Sequence, residues 1–418
     1  MPTDLACHVE QTPLANTHDH QKREVEFVNN GPDVLQDIFC IYMRTDLEVA
    51  GASRAAADRL ADATDPDLAA RFAGVRAAWE RSRQTGFGEV SRLIAQRVYG
   101  MDEITPEGLD AARRINAETR RPGQRLRILK EQANLDHVQI DEALWDSPPD
   151  ETDARFFRFD LSWWNMCAGR LDPQAVRERS GIEIRDVATL REAVTAVFAK
   201  FAPRAVAVKT QHVYSRPMPW RERSDAEAEA PLQKLLKVQE LTLDERLCLG
   251  DWCWARGVEA AIEHDLPFKI HTGLHGGHSY SHLNDVRVAD LCPLLAKYPK
   301  ARFVLMHVSY PYQHELTALA KHYPNVYAEL SWAWTLAPYS TGEFVRAMIH
   351  TAPIHKLFVF GADIHWPNQT FASAIQTRRW LTRALQAEVD EGLLTLSEAM
   401  AAATRLMRTN QRECFRVE

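Results

Sequence analysis

Two histidines one residue apart, His18 and His20 in the run Asn16-Thr-His-Asp-His20, are the first side chains of this 418-residue sequence whose spacing points to chemistry. On an extended strand, positions i and i+2 face the same way, so both imidazoles can share one cation. Four more reactive side chains stand directly behind short apolar runs: Lys209, His271, His307 and Asp363. Imidazole and carboxylate donors suit zinc, and manganese or iron less selectively. A lone histidine on a strand is more often a satisfied core residue than a ligand, and a lone aspartate is often a helix cap. Six such groups at successive strand ends read differently, because burying them together is costly unless they are paired or metal-bound.

The elements that must position them are short runs rich in Val, Ile and Phe that turn abruptly polar. They read AVAVKTQHVYSR from Ala205, LPFKIHTG from Leu266, RFVLMHVSY from Arg302, NVYAELSW from Asn325 and LFVFGADIHW from Leu357. This is the look of strands buried on both faces. Earlier strands are fainter and are placed at Leu14–Thr17, near His137–Ile140 and near Phe156–Leu161. Helical patterns separate them. Thr242 and Glu245 form a capping box that opens a long helix, and Thr395 with Glu398 opens a C-terminal one ending near Cys414. Strands alternating with helices at roughly 28 residues per unit predict a (β/α)8 TIM barrel, which needs about 250 residues without insertions. The excess lies between the first two strands, where 33–49, 65–84, 89–99 and 106–120 read as helices. We read residues 1–418 as a single barrel domain with a helical insertion at about 30–130, lying over the barrel mouth. The charged stretch 217–232 reads as a loop and candidate flap.

Composition narrows the function classes. Hydrophobic residues make up 45% and charged residues 26%, as in ordinary globular proteins. The net charge of −7 offers no basic excess for gripping phosphate backbones, so nucleic acid is not an expected partner. The N-terminus lacks the basic and apolar regions of a secretory signal, and no apolar stretch is long enough to span a membrane. Seven scattered cysteines without a CxxC pair fit reduced thiols, so a cytoplasmic location is expected. Homo-oligomerisation is left open.

With these residues placed, the sequence resembles the amidohydrolase superfamily, which carries His-X-His on the first strand, histidines on the fifth and sixth, and Asp on the eighth. It is most similar to the amidohydrolase-2 group, which includes the amidohydrolase-like domain of FluG-type proteins and is related to uronate isomerases. Lys209-Thr-Gln-His-Val-Tyr-Ser-Arg216 resembles that branch's fourth-strand run, and His307-Val-Ser-Tyr-Pro-Tyr312 its sixth-strand segment. The likeness covers the first strand and about 200–418. Asn16 stands where the decarboxylating branch carries an acidic residue, and the arginine-rich signature of uronate isomerases is missing after Asp363.

The resemblance implies one divalent cation, zinc ahead of manganese and one ion ahead of two, held by His18, His20, His271 and Asp363. Asp363 is then the acid/base, His307 polarises the substrate carbonyl, and Lys209 either binds a substrate carboxylate or, carbamylated, bridges two metals. Tyr214 and Arg216 are candidates for binding an anionic group. His275, in the loop Thr-Gly-Leu-His275-Gly-Gly-His278-Ser-Tyr-Ser-His282, is a candidate for lining the pocket. The leading expectation is hydrolysis of a C–N, ester or lactone bond in a small acidic substrate. Aldose–ketose isomerisation or a lyase reaction is the alternative on this scaffold, and a non-catalytic metal-containing protein is the remote one, since fold does not decide chemistry.

Overall fold

The apolar runs form one eight-stranded parallel sheet in the computed structural model, which describes residues 3–39, 42–276 and 282–417. The strands are β1 (Leu14–Asp19), β2 (Leu135–Ile140), β3 (Phe157–Ser162), β4 (Ala205–Thr210), β5 (Phe268–Ile270), β6 (Phe303–Leu305), β7 (Val326–Glu329) and β8 (Leu357–Phe358). They pair in sequential order. Backbone hydrogen bonds then join the residues after β8 to β1: Thr17 N to Phe360 O at 3.0 Å, Asp363 N to His18 O at 3.1 Å and His20 N to Ile364 O at 3.1 Å. The result is a (β/α)8 barrel. The ends expected for β1 to β6 fall within a residue or two of those observed, because each run stops where buried apolar side chains give way to polar ones; β7 and β8 stop earlier than expected, at Glu329 and Phe358, so that Asp363 lies beyond β8 rather than ending it.

Helices coat the barrel. The long helix before β5, Leu243–Glu263, opens on the Thr242–Glu245 capping box and buries Trp252, Trp254 and Val258. Each such side chain contributes about 1.5–3 kcal/mol by leaving water. The 217–232 stretch differs from expectation. A helix, Asp225–Leu236, begins inside it on a capping box between Ser224 and Glu227. Its charges and internal Pro231 hid a helical period that the cap alone announces.

Between β1 and β2 the chain is helical. The expected helix at 33–49 is two, Val34–Ile38 and Met43–Val49, and that at 65–84 is also two, Leu68–Ala73 and Arg76–Ser82, parted at Gly74. Arg54–Ala61, capped by Ser53, was not anticipated because its alanines show little apolar period. These helices share a core of their own, with Phe72, Trp79 and Leu93 at its heart, which reaches the barrel through Trp332 and Ala372. Left-handed backbone gathers at the strand ends: His307 (φ 64°), Val308 (51°) and Ser309 (55°) follow β6, Trp332 (44°) follows β7 and Asp363 (58°) follows β8. Such conformations cost non-glycine residues about 1–3 kcal/mol each and cluster where function requires them.

Candidate metal centre

β1 is buried at every position and presents His18 and His20 at its C-terminal end. Its register against β2 slips by one residue between Asn16 and Asp19, a bulge that re-aims the side chains. Asp363, arriving after β8, places Oδ1 3.0 Å from His18 Nε2 and 3.2 Å from His20 Nε2. One donor atom from each of these three residues lies within 4.8 Å of the others. Burial works against ionising Asp363, but the two imidazoles outweigh it and hold the carboxyl well below its usual range. Burial likewise opposes charge on His20, and the hydrogen bond and charge of Asp363 prevail, raising it above its ordinary value.

The donor set fits a divalent cation. His20 Nδ1 lies 2.8 Å from the carbonyl of Asp141. A carbonyl only accepts, so Nδ1 carries the hydrogen and the lone pair sits on Nε2, the tautomer a metal ligand requires. Two lone-pair atoms then face each other at 3.2 Å across His20 and Asp363, an arrangement that calls for a proton or a metal between them. Three protein ligands would leave coordination positions open for water or substrate.

Residues not singled out from sequence hold this geometry. The Asp19 carboxylate accepts from the backbone N–H groups of His20 (3.0 Å) and Ile364 (2.9 Å) and from Asn16 Nδ2 (2.7 Å), Gln21 Nε2 (3.3 Å) and Thr370 Oγ1 (3.1 Å). Asn16 also accepts from Ala362 N at 3.1 Å, so the pair ties β1 to the segment that carries Asp363. Tyr42, from the helical segment, donates its hydroxyl to the Asp363 carbonyl at 2.6 Å and stacks on Trp332, 4.8 Å between centroids. Asp141 was findable. It is the first acid after the buried run of β2, by the rule that picked out Lys209. Tyr42 and Asp19 offered no such signal, since their roles arise from packing across the barrel seam.

The other expected residues surround the three. His307 is buried, with Nδ1 3.2 Å from the carbonyl of Ser331 and Nε2 without a hydrogen-bond partner. Burial pulls it down to about 4, so it is neutral at pH 7 and Nε2 bears a lone pair. That tautomer suits accepting a proton rather than the carbonyl polarisation expected of it. His271 is not in the converging group. Its ring packs against His307 at 4.1 Å and its Nε2 lies 3.2 Å from Leu274 O. Lys209 is fully buried at the end of β4, donating to Gln211 Oε1 at 3.4 Å and lying 3.8 Å from Asp141 Oδ2. Tyr214 stacks on His275 at 4.5 Å and accepts from Gly276 N at 3.0 Å. The Arg216 guanidinium is engaged by Asp251 at 2.7 Å and by the carbonyls of Pro219 and Cys167, which makes it a structural tie of the loop after β4. His278 lies outside the described residues.

A family model described as Amidohydrolase matches residues 187–404, just over half of the chain. The chain belongs to the amidohydrolase family. The FluG protein of Emericella nidulans is 33% identical over 151 residues, which are 36% of this chain and 17% of that protein. The amidohydrolase chain thus spans under a fifth of that relative's length. Among solved structures it is similar to a glucuronate isomerase from Caulobacter crescentus, with a TM-score of 0.80, 19% identity, and 100% and 96% of the two chains covered. A uronate isomerase from Thermotoga maritima matches with a TM-score of 0.79 and 15% identity over 98% and 96%. At these identities the likeness shows a shared fold. No helix among the described residues is long and apolar enough to cross a membrane.

Proposed function

We propose that this amidohydrolase-family chain is a metal-dependent hydrolase. It would hold one divalent cation, zinc ahead of manganese, on His18, His20 and Asp363, and cleave a C–N, ester or lactone bond of a small acidic substrate. The observation that carries this reading is the convergence of two imidazoles and a carboxylate within 4.8 Å at the ends of β1 and β8. A bound cation supplies a water acidified to a pKa of about 7 and polarises a carbonyl oxygen. Asp363 meets both imidazoles through Oδ1, and its other oxygen serves to take a proton and return it to the leaving group. The free Nε2 of His307, whose ring lies 6.0 Å from that of His18, is a second acceptor. Lys209, as an ammonium, pairs with the anionic group of the substrate. Tyr214 and His275 wall the β5 side. One ion is favoured over two because the described residues contain one such converging group and Lys209 is already hydrogen-bonded to Gln211.

One observation favours a second reading, aldose–ketose isomerisation. The fold likeness to two isomerases runs end to end, through the helical segment between β1 and β2. Turnover in ¹⁸O-water across a panel of amides, esters, lactones and uronates separates the two. Hydrolysis leaves one ¹⁸O in the product. Conversion of an aldose to a ketose, without turnover of any amide, ester or lactone, would overturn the hydrolase reading.

A further inference from the structure

A cavity of about 340 Å³ lies between the helical segment and the chain just after β8. One side is backed by the apolar side chains Leu35, Phe39, Leu47, Ala57 and Leu60, themselves buried and, Ala57 apart, packed in the helical core. The opposite wall includes His365 and Trp366, two and three residues beyond Asp363. Ligand pockets begin at about this size.

Its position relative to the candidate centre is informative. His20 is the exposed member of the three, its side chain 23% accessible against 1% for His18 and 6% for Asp363. His365 packs on that same residue, its ring 5.7 Å from the His20 ring and its Nδ1 3.3 Å from the His20 carbonyl. The cavity therefore begins one side chain away from the open flank of the centre. Its glutamine and arginine side chains are already engaged. Gln36 donates to Ala61 O and accepts from Asp33 N, and Gln369 donates to the carbonyls of Gln36 and Asp37. Arg44 pairs with Glu48 at 2.9 Å and Asp58 at 2.6 Å. No unpaired charge of the lining asks for an ionic partner, so the fitting occupant is neutral and apolar.

We propose that this cavity selects the substrate, taking a neutral apolar group of the size of a phenyl ring or branched alkyl chain while the polar end of the same molecule meets the centre. This rests on the hydrolase reading and adds the substrate class, amides or esters with an apolar acyl group. Crystals of the full chain soaked to saturation in benzyl alcohol test occupancy. Paired assays of phenylacetyl and acetyl amides that share one carboxylate-bearing amine test selection while keeping the anionic group for Lys209. The expected results are density for the ring between Ala57 and Trp366, and a preference for the phenylacetyl compound of roughly tenfold or more in kcat/KM. Ala57→Trp, or Ala57→Leu if the larger side chain prevents folding, is expected to abolish the density and the preference while metal content is unchanged. A cavity that stays empty in soaked wild-type crystals, or one that fills without any kinetic preference, overturns the proposal. Density in the cavity without cleavage of either amide, or of any other amide or ester, would instead overturn the hydrolase reading, leaving a binding site for apolar molecules.

Discussion

The β1–β8 side of the barrel mouth and the β4–β6 side use the same residue types in different ways. On the first, His18, His20 and Asp363 aim donor atoms at one point, and Asp19 with five hydrogen bonds and Asn16 with two lock them there. On the second, Lys209, His271 and His307 are as deeply buried, yet each is turned to a partner of its own: Gln211, Leu274 O and Ser331 O. The first side is preorganised for a small hard charge, which rewards fixed donors at short range. The second offers a lone pair and an ammonium over a wider area, which suits a molecule.

Breaking the first side has the largest expected effect. Asp363→Asn removes a ligand charge and the acid/base group together, and turnover is expected to fall by about 10²–10⁴ or more. Near-normal turnover with the metal retained would refute the base role. Next comes the lock. Asp19→Ala is expected to weaken metal affinity about 10–100-fold, as outer partners of ligands typically do. Competition with a chelator measures it, and unchanged affinity would show that the hydrogen bonds from Asn16, Ile364 and Thr370 do not support the centre.

The second side breaks differently. Lys209→Met is expected to keep the metal while raising KM for anionic substrates by about tenfold or more, the worth of a charge-assisted hydrogen bond. If metal is lost instead, Lys209 is part of a two-ion bridge and the two sides are one site.

These contrasts show what was legible in the sequence. Strand ends and the six polar residues behind them could be read because a buried run that turns polar leaves a one-dimensional signature. The eight-strand barrel followed from the pace of those runs. Which histidines converge could not be read, since His18 and His271 both end strands and differ only in how loops and a β-bulge turn their rings. Tyr42 could not be placed because its contact with Asp363 joins residues 321 apart in the chain. Arg216 reads as an anion binder because its tie to Asp251, on the long helix before β5, joins residues 35 apart in the chain.

The smallest expected effect lies away from the mouth, in the helical segment. Asp37 is buried there, accepting from Tyr99 and Asn368 at 2.6 and 2.7 Å, and burial pushes it from 3.8 up to about 6. A raised acid keeps its proton in the folded state while the unfolded chain releases it. Stability from this group is therefore highest below pH 4 and declines as pH rises to about 6. Asp19 and Asp160, also raised to about 6, add the same trend, so thermal unfolding of Asp37→Asn across that window is expected to show a shallower decline than the wild type. A variant with the wild-type slope would assign the pH dependence elsewhere.

The central claim is that the centre belongs to β1 and β8 alone, and metal content tests it most directly. Elemental analysis after purification without chelator is expected to find about one divalent ion per chain in the wild type and in His271→Ala, and next to none in Asp363→Ala. Metal retained by Asp363→Ala, or lost from His271→Ala while the barrel stays folded, would contradict it.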